Sequence, residues 1–179
     1  RMLGPSIFSP ISGTVAVEQS DGESEILTND YVLIATGTTP RALPYLEFDG
    51  EVVISSDHFL TQESLPKSIL IIGGGVIGVE FASLLSDLGV KVTIVDVEDR
   101  LLKLEDKDAS RAIEKSFKEK GVTVHTSTRL EEGHLTKNES SMTAKINGKQ
   151  DEYDQVLVAI GRVPLTDDLG LTNTKIKTT

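Results

Sequence analysis

The 179-residue sequence contains no cysteine. Without a thiol, the chain itself cannot form a disulfide scaffold, supply a thiolate nucleophile or bind zinc through sulfur. Its three histidines, His58, His125 and His134, are scattered and lack the spacing of metal ligands. We therefore predict no metal site and no cysteine chemistry within this chain.

Positive charge is also scarce, with 18 Lys and Arg against 28 Asp and Glu, for a formal net charge of −10. Nucleic acids and anionic membranes need a basic face, so neither is expected as a partner. No apolar run approaches the ~20 residues of a transmembrane helix. The first residues, Arg1 to Pro5, lack the apolar core and cleavage pattern of a signal peptide. These absences predict a cytoplasmic protein.

What the chain does contain is an apolar, β-branched run that leads into Gly73-x-Gly75-x-x-Gly78. In a strand–turn–helix of this kind, the first glycine makes a tight turn and the second lets the backbone approach a pyrophosphate. The third lets the helix pack closely on the strand. A helix that begins at Val76 adds unpaired N–H groups and the positive end of its dipole. The residues predicted to bind a dinucleotide pyrophosphate are Gly73, Gly74, Gly75, Val76, Ile77 and Gly78. The alternative is a purely structural glycine turn.

A second strand ends in Asp96, about 20 residues after the glycines, where a dinucleotide site has a ribose-binding carboxylate. A carboxylate accepts hydrogen bonds from ribose hydroxyls and repels a 2′-phosphate. The only cation that follows closely in sequence is Arg100. NAD is therefore predicted in preference to NADP, and an ordinary exposed acid at a strand end is the alternative.

From Lys67 the apolar pattern alternates between strands and helices. It predicts strands at 68–72, 91–96 and 122–126, and helices at 76–88 and 106–120, each helix ending before a glycine. The residues predicted to face the sheet are Ile77, Phe81, Leu84, Leu85 and Leu88 of the first helix, and Ile113 and Phe117 of the second. Such an alternation implies parallel strands with right-handed crossovers.

The flanking segments are rich in strand patterns. Before Lys67 we predict a hairpin of strands 11–18 and 25–28, a buried strand 31–37, a linker-like crossing at 41–50 and a short helix that begins near Ser55 and stops at Pro66. After Thr126 we predict a meander of strands 129–135, 141–147 and 150–154 with a turn at Asn147-Gly148, and then a buried strand 155–161.

Four motifs follow one another in a specific order. They are Ala35-Thr36-Gly37-x-x-Pro40-Arg41, Gly73-Gly-Gly-Val-Ile-Gly-Val-Glu80, Asp96 with Arg100-Leu-Leu, and Ala159-Ile-Gly-Arg162-x-Pro164. This order resembles the pyridine nucleotide–disulfide oxidoreductases, and within them most the dihydrolipoamide dehydrogenases. Two positions depart from the common pattern, because Asp96 stands where many members have glutamate and Leu165 where asparagine is common.

The resemblance implies an α/β fold, a Rossmann-like three-layer ββα FAD/NAD(P)-binding domain with an antiparallel β-meander. Residues 67–154 would form the NAD-binding βαβαβ unit with its meander. Residues 1–66 would be the edge of the flavin-binding domain and a linker, and residues 155–179 the last strand of the NAD domain and a return toward the flavin domain. The cysteine pair, the flavin-binding βαβ unit and the dimerisation domain of these enzymes have no counterpart here. We therefore expect an excised part of a larger enzyme, with a naturally small module as the alternative.

The resemblance also assigns roles to single residues. Glu80 would lie beside the nicotinamide and help to place it against the flavin, although an acid early in a helix can also simply complement the dipole. Leu130 would contact the adenine, within a residue or two, and Gly161 would close the last strand beside NAD. Thr36 and Gly37 would contact FAD in the whole enzyme. No residue of this chain is expected to be catalytic.

For the whole enzyme the resemblance implies electron transfer from dihydrolipoamide, through a redox-active disulfide and FAD, to NAD. It also implies a homodimer that serves a 2-oxo acid dehydrogenase complex, although the sequence does not say which one. The chain alone is expected to bind NAD or NADH, to hold no stoichiometric FAD and to be inactive. Two alternatives stay open: another superfamily member, such as an NADH oxidase or peroxidase or a mercuric or glutathione reductase, and a non-catalytic dinucleotide-binding module. Val76, where glutathione reductases tend to carry tyrosine, argues against that enzyme.

Overall fold

The structure is a computed structural model, and it describes residues 6–8, 14–19, 21–167 and 169–177. By its internal contacts the chain divides into two compact units, residues 40–163 and residues 1–39 with 164–179. Residues 40–66 therefore group with the predicted βαβαβ segment. The predicted domain boundaries at 66 and 154 concern the domains of a larger enzyme, and they stay a prediction.

The secondary structure follows the chain in this order. The strands are β1 Ser6–Phe8, β2 Thr14–Glu18, β3 Ser24–Thr28, β4 Thr38–Pro40, β5 Val53–Ile54, β6 Ser68–Ile72, β7 Lys91–Val95, β8 Thr123–His125, β9 Leu135–Lys137, β10 Met142–Ile146, β11 Lys149–Tyr153, β12 Gln155–Val158 and β13 Arg162–Pro164. The helices are α1 Ser56–Phe59, α2 Val76–Asp87 and α3 Lys107–Glu119, with 3₁₀ turns at Glu132–His134 and Leu171–Asn173. Among the described residues, no helix has the length and hydropathy needed to cross a membrane.

The larger unit is built on a five-stranded sheet in the order β5-β12-β6-β7-β8. Every neighbouring pair in it is parallel. The predicted βαβαβ alternation is confirmed, and the bounds of its strands and helices differ from the predicted ones by at most one residue at either end. Since α2 connects β6 to the adjacent β7, and α3 connects β7 to the adjacent β8, the carboxyl ends of all three strands meet at one edge.

The two faces of the sheet bury different layers. Ile69 and Ile71 of β6 pack with Leu85 of α2 and Phe117 of α3, and all four are at most 1% exposed. Full burial of one such side chain contributes about 1.5–3 kcal/mol through the hydrophobic effect. The alternate β6 residues, Leu70 and Ile72, belong to a second core cluster that includes Met142 and Ala144 of the meander. Helices therefore cover one face and the meander covers the other, which confirms the predicted three-layer α/β fold.

The buried face of α2 differs from the predicted apolar stripe. Leu84 and Leu88 are about half exposed, whereas Gly78, Val79, Ala82 and Leu85 are buried. The predicted stripe is confirmed at Leu85 and at Phe81, which packs against the same core. It is wrong at Leu84 and Leu88, which lie on the flank of the buried face, while Val79 and Ala82 take part in that face. For α3 the prediction is confirmed, since Phe117 is 1% exposed and Ile113 packs against the same core.

The predicted meander is confirmed for its last two strands, whereas the prediction of its first strand is wrong. β10 and β11 pair antiparallel around the Asn147-Gly148 turn, as expected. The predicted strand 129–135 does not exist as such, because Glu132–His134 form a 3₁₀ turn and β9 begins only at Leu135. The backbone N–H of Glu131 donates to Nδ1 of His134 at 3.1 Å, and this local cap competes with an extended ladder.

Strand β5 is an edge strand that was not predicted, since its residues fall between the expected linker 41–50 and the short helix that begins near Ser55. It is positioned by Asp49, whose Oδ1 accepts hydrogen bonds from the backbone N–H groups of Glu51, Val52 and Val53 at 2.7, 2.8 and 2.9 Å. Its Oδ2 lies 2.7 Å from Nζ of Lys137. The carboxylate thus ties the turn before β5 to the meander.

Replacing Asp49 with alanine is expected to lower the free energy of unfolding by about 1–3 kcal/mol at pH 7, because hydrogen bonds to a charged acceptor are lost. Burial of the carboxyl opposes ionisation, but the hydrogen bonds from Lys137 and the three backbone N–H groups outweigh it and hold the pKa below the ordinary 3.8. Because the pKa of Asp49 is lower in the folded than in the unfolded state, its carboxylate stabilises the folded chain above pH 3.8. This stabilisation is lost as the pH falls through the pKa of the folded state.

Chemical denaturation of both proteins between pH 7 and pH 3 measures this difference. The difference in the free energy of unfolding between wild type and Asp49→Ala should be constant near neutral pH and should become smaller below pH 3.8. Glu47→Ala, which removes an exposed carboxylate from the same segment, is the control and should be nearly neutral. A gap that widens toward low pH would contradict the assignment.

The smaller unit contains the antiparallel sheet β1-β2-β3, which confirms the predicted hairpin for the described part of residues 11–18; residues 11–13 lie outside the described residues. The predicted buried strand 31–37 is wrong. Residues 31–37 form no strand, and Tyr31 and Leu33 are 94% and 90% exposed. A continuous apolar run becomes a buried strand only when neighbours pair with both of its edges. No strand among the described residues pairs with this one.

The predicted strand 155–161 is shorter than expected. β12 ends at Val158, the Ala159 N–H still donates to the carbonyl of Ile72 at 2.8 Å, and the chain then leaves the sheet before β13 begins. β13 does not belong to the parallel sheet. The residues between β12 and β13 are thereby free to line the carboxyl edge of the parallel sheet.

Candidate dinucleotide-binding site

The turn after β6 depends on Gly73. Its backbone has φ of +115°, and a Cβ added to it would lie 2.4 Å from the carbonyl oxygen of Ala159. Its N–H donates to the carbonyl of Val95 at 2.9 Å, so the turn stays joined to the end of β7. Only glycine can occupy this position without moving the neighbouring backbone.

The two later glycines of the motif have opposite surroundings. A Cβ on Gly78 would lie 1.9 Å from the carbonyl oxygen of Gly73, so α2 can approach the strand only with hydrogen at this position. Gly75, the N-cap of α2, has φ of −75°, and a Cβ there would meet nothing within 4 Å. Gly78 is therefore required by packing, whereas the space beside Gly75 is open to a ligand.

A cavity of about 860 Å³ lies at the carboxyl edge of the parallel sheet. This is where open α/β sheets bind their ligands. The predicted site residues that line it are Gly73, Gly74, Gly75, Val76, Ile77, Asp96, Leu130 and Gly161. Its volume falls within the range of roughly 300–1,000 Å³ that is typical of cofactor sites.

Asp96 is held at the rim of this cavity by hydrogen bonds to both carboxylate oxygens. Oδ2 accepts from the backbone N–H of Gly74, and Oδ1 accepts from the N–H of Glu98 at 2.7 Å. The Asp96 carbonyl accepts from the N–H of Thr128 at 2.8 Å, which joins β7 to the segment after β8. A carboxylate has about four acceptor sites, so hydroxyl donors can still bind to it.

Arg100 is not turned toward the cavity. Its guanidinium donates to the carbonyls of Lys103 and Glu105 at 2.7 and 3.0 Å and to Oγ of Ser110 at 2.5 Å. The Leu102 N–H donates to the carbonyl of Gly74 at 2.8 Å. Arg100 therefore organises the 101–105 loop that borders the glycine turn, and it is not placed to bind a phosphate.

The cations that do line the cavity are Lys103, Arg129 and Arg162, of which only Lys103 lies close to Asp96 in the sequence. Lys103 pairs with Asp99 and lies 3.6 Å from a carboxylate oxygen of Glu98. The hydrogen bond from Lys103 holds the pKa of the Asp99 carboxyl below its usual value. The charge of Lys103 is thus balanced by two neighbouring carboxylates.

Arg162 forms a two-point contact with Asp57, with N–O distances of 3.0 and 3.3 Å. The hydrogen bond from this guanidinium lowers the pKa of the Asp57 carboxyl. The lining also contains four acidic residues, Asp96, Glu98, Glu105 and Glu131. The lining therefore carries more acidic than basic side chains, and the acidic ones include Asp96 and Glu98.

The other predicted residues lie apart from this lining. Gly78 is packed against the turn, and Glu80 is exposed in the second turn of α2 without lining the cavity. Thr36 and Gly37 belong to the smaller unit, where both are exposed. There the Thr36 hydroxyl donates to the carbonyl of Leu165 at 2.6 Å, and the Gly37 carbonyl accepts from the Leu165 N–H at 2.9 Å.

The segment predicted as a linker supplies a wall of the cavity that the sequence did not reveal. Leu43, Pro44 and Tyr45 line it, and the Tyr45 hydroxyl donates to the carbonyl of Leu130. Burial raises the pKa of the Tyr45 phenol. The cluster of apolar residues around Pro44 was the available indication, because solvent-exposed linkers are usually polar. Among the described residues, no group of three or more His, Asp or Glu side chains is arranged to hold a metal.

Comparison with known proteins agrees with this arrangement. Residues 6–179 match the model of the family described as pyridine nucleotide-disulphide oxidoreductase. The chain belongs to the pyridine nucleotide–disulphide oxidoreductase family. The predicted family is thereby confirmed, and the three-layer fold is that of its solved members. Enzymes of this family depend on a flavin and on a pyridine nucleotide.

Individual members of the family resemble the chain over nearly its whole length. Dihydrolipoyl dehydrogenase of Bacillus subtilis is 45% identical over 183 residues, covering 99% of this chain and 39% of that protein. The crystal structure of LpdA from Mycobacterium tuberculosis has a TM-score of 0.82 at 32% identity, covering 98% of this chain and 38% of that one. The HOCl-induced flavoprotein disulfide reductase RclA from Escherichia coli has a TM-score of 0.81 at 27% identity, with 98% and 39% covered. The chain thus spans less than two fifths of the length of these relatives.

Proposed function

We propose that this chain is the NAD-binding part of a dihydrolipoyl dehydrogenase. The observation that carries the proposal is the Asp96 carboxylate, which is hydrogen-bonded to the N–H of Gly74 in the glycine turn and stands at the rim of the cavity. The 45% identity to a dihydrolipoyl dehydrogenase supports the choice within the family.

The residues at the cavity fit a pyridine nucleotide. The open space beside Gly75 admits a pyrophosphate to the start of α2, where the first-turn N–H groups and the helix dipole favour an anion. Asp96 would accept hydrogen bonds from the adenine ribose, Leu130 would contact the adenine, and Gly161 would border the nicotinamide end. Bound NAD supplies the hydride acceptor of the proposed reaction, and the task of this chain is to bind and orient it.

Electrostatics favour NAD over NADP at this site. A 2′-phosphate adds about 1.5 to 2 negative charges, and it would lie beside the Asp96 carboxylate. Lys103 and Arg162 are engaged by carboxylates, and Arg100 donates to the backbone of its own loop. Arg129 and Glu131 both line the cavity, so the charge of one acid accompanies that of the arginine. The rim therefore offers no cluster of arginines of the kind that accommodates a 2′-phosphate.

For the whole protein we extend the proposal to the reaction of dihydrolipoamide and NAD, through FAD and a redox-active disulfide. Thr36 and Gly37 would contact the flavin there, and Glu80 would help to place the nicotinamide. A homodimer acting in a 2-oxo acid dehydrogenase complex belongs to the same proposal. These assignments rest on family resemblance and on the similarity to dihydrolipoyl dehydrogenases.

Titration of the purified chain with NADH and NADPH tests the proposal. NADH should bind at one site, and NADPH at least tenfold more weakly, a difference of about 1.4 kcal/mol. The chain should reduce no NAD with dihydrolipoamide, because the thiol–disulfide step needs cysteines that this chain does not contain. Isothermal titration measures the binding, and the absorbance of NADH measures turnover. Equal affinity for the two nucleotides would overturn the NAD assignment, and a stoichiometrically bound flavin would overturn the expectation for the isolated chain.

A further inference from the structure

Tyr45 occupies a special place in the cavity. Among the described residues, it is the one aromatic side chain in the lining. The sequence Leu43-Pro44-Tyr45-Leu46 forms a tight turn in which the N–H of Leu46 donates to the carbonyl of Leu43 at 3.0 Å. Leu43 and Leu46 pack against the core on the meander side of the sheet, so the turn is anchored on both sides of Tyr45.

The phenol is fixed at its far end as well. Its hydroxyl donates to the carbonyl of Leu130, a residue that is 6% exposed and packed in the same core cluster. A tyrosine that is held by its backbone turn and by its hydroxyl keeps the ring in one orientation. Little side-chain entropy then remains to be lost when a ligand packs against the ring.

The hydrogen bonds around Leu130 show which end of the cavity Tyr45 belongs to. Thr128, two residues before Leu130, donates its N–H to the carbonyl of Asp96 at 2.8 Å, and Ser127 donates to the carbonyl of Glu98 at 2.6 Å. The segment that carries Leu130 is therefore tied directly to the residue whose carboxylate is proposed to bind the adenine ribose. Because the Tyr45 hydroxyl binds the carbonyl of Leu130 in this segment, Tyr45 lies at the same end of the cavity as Asp96, which is the proposed adenosine end.

We infer that the Tyr45 ring is a wall of the adenine site, against which the base packs face or edge on, opposite the aliphatic side chain of Leu130. This inference rests on the proposed function and adds a binding residue to it. An aromatic ring packs well on the flat face of a nucleobase, and the interaction does not depend on hydrogen-bond readout. The acidic side chains around Asp96 cannot pack on the base in this way, so the Tyr45 ring would contribute much of the affinity for the adenine half of the dinucleotide.

Two substitutions separate the ring from its hydroxyl. Tyr45→Leu removes the aromatic ring and keeps apolar bulk, whereas Tyr45→Phe keeps the ring and removes the bond to Leu130. The ligands are ADP-ribose, which contains the adenine, and nicotinamide mononucleotide, which lacks it. Tyr45→Leu should weaken ADP-ribose and NADH by roughly tenfold or more and leave nicotinamide mononucleotide unchanged. Tyr45→Phe should remain within about threefold of wild type, since the anchored turn still presents a ring.

Tyrosine emission gives a second measurement, because the chain has three tyrosines and no tryptophan. ADP-ribose should quench part of the emission of the wild type and of the control variant Tyr31→Leu, which replaces a residue that is 94% exposed. Quenching should disappear in Tyr45→Leu. If that variant does not fold, as judged by circular dichroism, Tyr45→Trp provides a single indole whose emission ADP-ribose should quench.

The outcomes distinguish this inference from the function it rests on. A wild-type chain that binds neither NADH nor ADP-ribose would overturn the proposed function. A wild type that binds both, with a folded Tyr45→Leu of unchanged affinity, would overturn only the role of Tyr45. Equal losses in Tyr45→Phe and Tyr45→Leu would show that the hydroxyl bond to Leu130 matters and the ring does not, which also contradicts the inference. A Tyr45→Trp variant that binds ADP-ribose while its indole emission stays unquenched would do the same.

Discussion

Replacing Gly75 with alanine is expected to leave the chain folded and to weaken NADH binding by tenfold or more. The position has φ of −75°, and a Cβ there would meet no protein atom within 4 Å, so the free energy of unfolding should change by less than about 0.5 kcal/mol. The methyl group would instead occupy the space through which the pyrophosphate reaches the start of α2. A loss of tenfold corresponds to about 1.4 kcal/mol.

Gly78→Ala is the matched control, because it adds the same methyl group three residues later. There the Cβ would lie 1.9 Å from the carbonyl oxygen of Gly73, and α2 would have to move off its strand. We expect this variant to unfold at much lower denaturant concentration, or not to fold at all. Guanidinium titrations and NADH titrations of both variants make the comparison. If Gly75→Ala binds NADH as tightly as the wild type, the pyrophosphate does not lie on this turn.

Replacing Asp96 with asparagine is expected to weaken NADH binding by about 1–3 kcal/mol and NADPH binding much less, so that the two affinities converge. The carboxylate would accept the ribose hydroxyls as a charged acceptor, and hydrogen bonds of that kind are the stronger ones. Asparagine removes both the charge that favours the hydroxyls and the charge that repels a 2′-phosphate. The ratio of the two dissociation constants is therefore more informative than either constant alone.

The structure adds a requirement to this experiment, because Asp96 also accepts the N–H groups of Gly74 and Glu98. Asparagine is preferable to alanine, since its side-chain oxygen can still accept from Gly74 and keep the turn in place. Glu98→Gln is the control, because it neutralises an acid on the same rim whose side chain is half exposed and pairs with Lys103. It should change the ratio by less than about threefold. A ratio that stays constant in Asp96→Asn would show that this carboxylate does not select the nucleotide.

Much of the candidate site was predictable because its chemistry is local in sequence. The spacing of Gly73, Gly75 and Gly78 reflects one strand–turn–helix, and Asp96 follows from the next parallel strand. In a βαβ unit the ends of adjacent strands must meet, so the pattern alone places the glycines and the carboxylate side by side. The hydrogen bond between Gly74 and Asp96 is the direct consequence.

Predictions failed where the outcome depended on a neighbour that the local pattern does not name. The run 31–37 has the composition of a buried strand, yet no described strand pairs with it, and its apolar side chains are largely exposed. The two residues of β5 are β-branched, but so short a run does not specify a strand, and it forms one by pairing with β12, about 100 residues later. Composition indicates the tendency to form a strand, and only the partner decides whether it forms.

The sequence by itself determined the family, the alternation of strands and helices from Lys67 onward, and the positions of the glycines and of Asp96. The tertiary structure decided which side chains surround them. In the folded chain the Arg100 guanidinium donates to the backbone of its own loop, and Lys103 and Arg162 line the cavity. The Tyr45 hydroxyl donates to the carbonyl of Leu130. The physical reason is that backbone periodicity is set by residues three or four positions apart, whereas the wall of a cavity is assembled by packing between segments that are distant along the chain.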